Sequence, residues 1–462
     1  MIGTALPMLT LFVRSPIYTR IYSPELYGVY TIAYITFTYL STISYQWITN
    51  NVWRYFLKYR NTNTLGLYWS VTFYLLFVSA ILVAVICTVW FLLSDDPVLK
   101  QLIVLGGLYF FTNEFVNILL IPSRISGKAG YYNILNSVRA VCSFLLLLGL
   151  TFIGHAKIEA FFTAPLMINV VFIIFLIKSP VSYFSFRVNR KLIRHARRFV
   201  KYGLGNLFFS MGLFLLVSGD RYLIAYFSDY DHVGIYNQTY NIGQLSIVAL
   251  FTVISAALNP SLISELNKKP FDSDQKLYDY LYISVYLILP LTFLFSLFSK
   301  EITRILLGKD FREAWNILPL IFFSAFFSGA NHFAVIKIKF TNKLRLLIID
   351  SISAAALNIV LNLILIPLYG YKIAAATTFI AYVYLFIILF YHAGLNPFAN
   401  RETGRKLVRI ILILTGLFGV HLAIKHFISG PTLVLPIAET IIFVLIYYIL
   451  TRKIVPLKGE QI

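Results

Sequence analysis

Apolar windows recur along the chain between polar or Pro/Gly-marked breaks, and several are longer than a soluble core needs. Leu65 to Leu93, Leu281 to Phe298, Ser351 to Leu368 and Ile373 to Tyr391 contain no charged side chain. Each reaches or exceeds the ~18 to 20 residues that cross a hydrocarbon layer of roughly 30 Å, so each predicts a transmembrane helix. Extending the reading over the whole chain predicts fourteen spans, at 1–18, 27–49, 65–93, 99–121, 132–153, 158–177, 203–227, 233–258, 278–298, 315–336, 345–367, 372–393, 406–428 and 431–451. The connections are short, and none is long enough to fold as a separate extramembrane domain.

The pattern repeats at long range. After the first span the chain reads Tyr22-Ser23-Pro24-Glu25-Leu26-Tyr27-Gly28-Val29-Tyr30 and then Tyr34; after the seventh it reads Phe227-Ser228-Asp229-Tyr230-Asp231-His232-Val233-Gly234-Ile235-Tyr236 and then Tyr240. Both are a polar turn followed by Gly-aliphatic-Tyr-x-x-x-Tyr opening the next span. The offset corresponds to six spans, so the halves would share one orientation, as in parallel-repeat transporters. The fold expected is therefore an all-α polytopic membrane protein with two pseudo-symmetric six-helix lobes around a central cavity and a terminal helix pair. Its parts would be an N-lobe at 1–178, a basic linker at 179–202, a C-lobe at 203–395, and the terminal pair with a tail at 396–462.

Composition narrows the class further. The 462 residues are 59% hydrophobic and only 13% charged, with a mean hydropathy of +0.78; a soluble surface needs about twice that charge. The net charge is +20, but most Lys and Arg sit in loops on one side, which reads as topology rather than nucleic-acid binding. That side is expected to be the cytoplasm, with both termini on the cytoplasmic side of a bacterial inner membrane. The richest run, Lys178 to Lys201, holds Arg187, Arg190, Lys191, Arg194, Arg197 and Arg198. The loop from Lys300 to Glu313 is the one basic-rich segment expected outside. The first segment lacks a basic n-region and a cleavage site, so it is expected to be a short span rather than a signal peptide. Cys87 and Cys142 lie inside apolar spans, and no disulfide framework, metal site or cofactor is expected.

No catalytic motif is present, and the informative side chains are the polar ones inside spans, which hydrocarbon tolerates only beside a partner or a cavity. In the seventh span Gly203, Asn206, Ser210, Asp220 and Arg221 share one face, while Gly205, Gly212 and Gly219 suggest a close-packing seam on another. A cavity wall and a set of structural bonds are both open readings of that face. Glu114 and Arg139 lie at similar depths on neighbouring spans, either as a buried ion pair or as a proton carrier beside an anion site. Arg14, Arg20, Arg54 and Lys337, with Lys339, add positive charge; for Arg54 and Lys337 anchoring at the membrane edge is the stronger reading. Asp350, Asn358 and Asn362 partly share a face, and helix–helix bonding explains them as well as substrate contact does. His332 and His392 read as satisfied buried histidines.

Four stretches then carry a resemblance. They are Pro16-Ile17-Tyr18-Thr19-Arg20-Ile21-Tyr22-Ser23-Pro24-Glu25-Leu26-Tyr27-Gly28; Ser218-Gly219-Asp220-Arg221 through Val233-Gly234-Ile235-Tyr236; Ala256-Ala257-Leu258-Asn259-Pro260; and Asn358 and Asn362 through Ile366-Pro367, Gly370 and Ala374-Ala375-Ala376-Thr377. In this order they resemble the polysaccharide-transporter group of the multidrug/oligosaccharidyl-lipid/polysaccharide exporter superfamily, which includes the O-antigen repeat-unit flippases. The resemblance implies two lobes around a cationic cavity, alternating access, and export of a polyprenyl-pyrophosphate-linked oligosaccharide, with no enzymatic step.

On that reading Arg14, Arg20, Arg54, Arg139, Arg221 and Lys337 would meet the substrate, and Asp220 and Glu114 would couple it to an ion gradient or the membrane potential. Asn206, Ser210, Asn358 and Asn362 would line the cavity. Membrane lipids, a polysaccharide polymerase and glycosyltransferases are the further partners expected of a monomer. A multidrug cation antiporter would need more unpaired lobe acids. A membrane glycan polymerase or ligase would need a sizeable outer loop.

Overall fold

The uncharged run from Leu65 to Leu93 sets the scale of the molecule: it forms one unbroken 29-residue helix, about 43 Å long at 1.5 Å per residue. In the computed structural model the described residues are 2–184, 189–268, 274–396 and 401–427, with a few positions between 443 and 451. Among them every regular element is helical. In chain order these are α1 (Ile2–Tyr18), α2 (Pro24–Ser41), a π-helical turn (Thr42–Gln46), α3 (Trp47–Asn61), α4 (Leu65–Leu93), α5 (Pro97–Ile125), α6 (Ala129–Phe152) and α7 (Ala160–Leu176). They continue with α8 (Lys178–Ser182), α9 (Arg190–Phe227), α10 (Tyr230–Lys268), α11 (Asp274–Leu297), α12 (Ser299–Leu306), a 3-10 turn (Lys309–Asn316), α13 (Leu318–Phe340), α14 (Leu344–Tyr369), α15 (Ile373–Ala393) and α16 (Arg401–Phe427).

Local chemistry places the boundaries. Ser23 caps α2 by accepting from the Leu26 amide at 3.4 Å, with Pro24 at the first helical position and Glu25 in the first turn; a carboxylate there suits the positive end of the helix dipole. Asp96 does the same for α5, accepting from Val98 at 2.8 Å ahead of Pro97. Gly394 ends α15 at φ 66°, a left-handed conformation that favours glycine.

Nine helices among the described residues are long and apolar enough to cross a membrane: α4, α5, α6, α11, α13, α14, α15, and the stretches Leu207–Phe227 of α9 and Tyr230–Asn259 of α10. Helices α1, α2, α7 and α16 occupy the places of the expected first, second, sixth and thirteenth spans. The expected fourteenth, at 431–451, falls largely outside the described residues. Three expected loops are ordered differently, and the basic linker is helical from Arg190 onward as the start of α9. The second span does not end at 49 but runs through the π turn into α3. The basic-rich stretch after Phe298 folds into α12 and the 3-10 turn, with Leu307, Phe311 and Ala314 buried. Its charges therefore belong to a packed amphipathic element rather than a free loop.

The chain divides into two compact units, Met1–Asn237 and Gln238–Ile462. In the first, α5 packs on α7 and α2, α6 packs on α7 and α1, and α9 packs on α3 and α4. In the second, α15 packs on α13 and α14, and α11 packs on α13 and α16.

Candidate functional site

The first unit gathers its polar side chains along α1, α2, α3, α5 and α6. Arg139, ten residues into α6 from the Lys128 end, donates from Nη2 to Asn117 Oδ1 at 3.3 Å, while its Nη1 is buried without a hydrogen-bond partner. Glu114, one turn from Asn117 on α5, accepts from Thr49 Oγ1 at 3.3 Å, with Ser41 also beside the carboxylate. Glu114 and Arg139 are near enough to feel one another's charge, but they do not form an ion pair within 4 Å. The simple buried pair allowed by the sequence is thus not what forms. Each charge instead bonds a neutral side chain, Arg139 to Asn117 and Glu114 to Thr49.

Arg14, on α1, acts on the same group of side chains. Its guanidinium lies over the Phe161 ring at 4.6 Å, a favourable cation–π placement. It reaches the Tyr30 hydroxyl and acts electrostatically on Tyr34 and Tyr109. Tyr109 also feels Arg139 and Glu114, so Arg14, Tyr30, Tyr34, Tyr109, Arg139, Asn117 and Glu114 form one polar track along the unit. These side chains are only partly buried, and Tyr34 is 39% exposed. No described carboxylate pairs with either arginine.

The sequence nominates the three charges. It misses Tyr30, Tyr34, Tyr109 and Thr49. Tyrosines are too numerous here for any one to stand out, although Tyr109 shares an i, i+4 row with Asn113 and Asn117.

Asp220 and Arg221 are a different kind of site. Asp220 is 0% exposed and Arg221 2%. Arg221 Nη1 lies 2.5 Å from Asp220 Oδ1 and also bonds the Val217 carbonyl. Tyr236 donates its hydroxyl to Asp220 Oδ2 at 2.7 Å and offers its ring to Arg221 at 5.1 Å. Arg221 Nε reaches Asn237 Oδ1 at 3.4 Å, and Asn237 Nδ2 donates to Thr31 at 3.2 Å. Of the two readings open for this pair, the geometry is that of structural bonding.

The repeat noted in the sequence makes a reciprocal contact. A Cβ on Gly28 would collide with the Tyr230 carbonyl, and a Cβ on Gly234 would collide with the Pro24 carbonyl. Gly28 and Gly234, Pro24 and Tyr230, and Thr31 and Asn237 are each offset by 206 residues. Each motif therefore presses on its own counterpart, and the bonded pair Thr31–Asn237 is a self-equivalent one. At the same offset, Arg14 beside Tyr30 corresponds to Asp220 beside Tyr236. The second copy of this position carries an ion pair where the first carries a cation held by an aromatic ring and a hydroxyl, with no described carboxylate beside it.

The remaining nominated residues separate. Arg20 is exposed and bonds the Pro16 carbonyl. Arg54 is exposed over the Tyr202 ring at 4.1 Å. Gly203 is pressed against Trp47, which makes that end of the supposed polar stripe a packing point. Ser210 is partly buried, and the side chain of Asn206 is outside the described residues.

In the second unit Lys337 is buried in an ion pair with Asp274. Asn358 and Asn362, both fully buried, bond across α14 and α15: Asn362 Nδ2 to Asn358 Oδ1 at 3.2 Å, Asn358 Nδ2 to Thr378 at 3.3 Å, and Thr377 to Asn362 Oδ1 at 2.5 Å. His392 joins the same helices by bonding Asp350 at 2.9 Å. Here helix–helix bonding accounts for all four polar groups. His332 contacts Asn259 at 3.3 Å.

Residues 17–316 match the family described as Polysaccharide biosynthesis protein. The chain belongs to that family. No curated protein matches the sequence. Among solved structures, the chain is similar to the lipid II flippase MurJ in an inward closed conformation, at a TM-score of 0.74 and 14% identity, over 98% of this chain and 97% of MurJ. It is also similar to a multidrug-resistance MATE family transporter of the MOP superfamily, inward-facing at TM-score 0.60 and 13% identity and outward-facing at 0.56 and 14%. These cover 85% of this chain and 97% and 92% of the transporter. At such identities the likeness establishes the fold: this family member is a multi-span membrane protein with the MurJ and MATE architecture.

Proposed function

We propose that the protein is a flippase that carries a polyprenyl-pyrophosphate-linked oligosaccharide repeat unit, of the O-antigen type, across the bacterial inner membrane by alternating access. The observation that carries this reading is the pair of arginines in the first unit. Arg139 and Arg14 are partly buried on helices of the first unit, neither has a partner among the described carboxylates, and Arg139 keeps one buried N–H set unbonded among the described residues. An unpaired guanidinium in hydrocarbon is costly and is retained where it meets a polar or anionic group. A pyrophosphate supplies that group through charge-assisted bonds. The glycan would follow the hydroxyl-lined track past Tyr109, Tyr34 and Tyr30, whose rings suit sugar faces.

Family membership supports a role in polysaccharide biosynthesis, and the likeness to transporters in two conformations supports alternating access. The reciprocal Gly28–Gly234 contact supports two parallel repeats within a fourteen-span chain. Basic residues at the end of α3 and the start of α9 favour cytoplasmic termini. Glu114, half-buried and unpaired, is the better of the two nominated acids for ion coupling, because Asp220 is already neutralised by Arg221.

In cells whose own gene is deleted, complementation by Arg139→Ala or Arg14→Ala should leave the lipid-linked saccharide on the inner leaflet. Surface glycan should fall at least about tenfold, equivalent to about 1.4 kcal/mol, at normal protein levels. Wild-type surface glycan from both variants would remove the site. Export of cationic dyes by the wild type, with no effect on glycan, would instead favour an antiporter.

A further inference from the structure

The polar track leaves one charged surface without a role. Helix α9 has 38 residues, about 57 Å, yet only Leu207–Phe227 has the apolar character of a span. Along its first turns Arg190, Lys191, Arg194, Arg197, Arg198 and Lys201 are all exposed. At 100° per residue the six fall within about 120° of the helix circumference. The opposite side carries Leu192 and Phe199, both buried in the apolar cluster that α3 and α4 complete. None of the six lies within 4 Å of a described carboxylate, and no acidic residue occupies the first turn of the helix.

The segment is firmly held. Asn51 Nδ2 donates to the Phe199 carbonyl at 3.0 Å, the Tyr55 and Phe199 rings stack at 4.8 Å, and Tyr59 bonds His195 Nδ1 through its hydroxyl. Its depth can also be read. The Phe199 ring packs 6.2 Å from that of Tyr68, in the first turn of α4, the most apolar span. Phe199 therefore sits level with the first turn of α4, and Arg194 to Lys201 lie within about 8 Å of it along the helix, near the end of that span where headgroups are met. The local field is strongly positive. The His195 imidazole is held below its usual pKa, first by burial and then by Arg198, Lys191, Arg194 and Lys58.

We propose that this face of α9 binds the phosphate headgroups of anionic phospholipids in the adjoining leaflet. The external anions supply the counter-charge that no described carboxylate supplies. The geometry favours a lipid surface over the pyrophosphate of a cargo molecule, because the six side chains spread along a convex helix face and do not converge on one cradle. A juxtamembrane basic side chain gains roughly 1 kcal/mol from an anionic leaflet, so several acting together discriminate strongly.

The full-length protein, purified in detergent with equal phosphatidylglycerol and phosphatidylcholine, tests this by native mass spectrometry of the retained lipids. The expected result is retention of phosphatidylglycerol over phosphatidylcholine on the order of tenfold, falling as salt rises. The combined variant Arg194→Gln, Arg197→Gln, Arg198→Gln and Lys201→Gln should lose the preference, and the three Arg→Lys changes together should keep it. Equal retention of the two lipids by wild type, or an undiminished preference in the glutamine variant, overturns the proposal. Displacement of phosphatidylglycerol from wild type by low-millimolar inorganic pyrophosphate, but not by equal ionic strength of chloride, overturns it in favour of a pyrophosphate site. Should the glutamine variant not fold, the lysine variant and the wild-type salt series decide. No cargo is present, so the result does not depend on the flippase reading.

Discussion

Arg139 and Arg221 are both arginines on helices at membrane depth, and their surroundings assign them opposite work. Arg221 is enclosed by Asp220, Tyr236, Asn237 and the Val217 carbonyl; removing it strands a fully buried carboxylate, a loss of about 3 to 5 kcal/mol. Arg221→Ala should therefore lower the amount of folded protein in the membrane, as read by detergent-extracted monodisperse yield, and Arg221→Ala with Asp220→Asn should recover part of it. Normal yield from the single variant would show that the pair is not structural. His195 offers a pH-dependent case. Its folded pKa is depressed, so the neutral ring is the form the fold favours, and that stabilisation is present above its ordinary value near 6.5 and is lost as pH falls below it. Thermal stability of the wild type should drop between neutral and mildly acidic pH, and His195→Gln should flatten that slope. An identical slope in the variant would exclude His195 as the cause.

Between α2 and α10 the close approach is made at glycines. Gly28 and Gly234 let α2 and α10 meet backbone to backbone, whereas a Cβ on Gly149 in α6 would meet nothing within 4 Å. Gly28→Val or Gly234→Val should abolish folded protein, and Gly149→Ala should be tolerated or slightly stabilising, since alanine is the better helix former; the comparison is again made on monodisperse yield. Equal yields from all three would contradict the contact. The Gly-aliphatic-Tyr-x-x-x-Tyr repeat was legible in the sequence because a turn and a glycine recur at the same place in two spans. That the two copies press on one another was not, since no pattern along a chain reports which helices cross. The polar groups of α14 and α15 failed to separate for a related reason: Asn358 and Asn362 look alike whether they face Thr377 and Thr378 or a substrate. The span boundaries were clearest where Pro, Asp or Gly caps a helix, and least clear at the π turn, where Thr42–Gln46 has no breaking residue.

Across the whole molecule, length and apolarity fix the class, because runs such as Leu65–Leu93 have no other stable environment. The family and fold follow from motifs spread over residues 17–316 and from the match to MurJ over nearly the entire chain. The proposed cargo rests on the chemistry of two guanidinium groups without a partner among the described carboxylates, and on the hydroxyl-bearing rings near them. The most direct test is transbilayer movement itself. Full-length protein is reconstituted into vesicles that carry a polyprenyl-pyrophosphate-linked oligosaccharide on one leaflet, and the fraction reaching the other is measured by its susceptibility to an added glycosidase. The account predicts rapid, saturating exposure with the wild type and at least about a tenfold slower rate with Arg139→Ala. A rate equal to protein-free vesicles for the wild type, or equal to the wild type for Arg139→Ala, would contradict it.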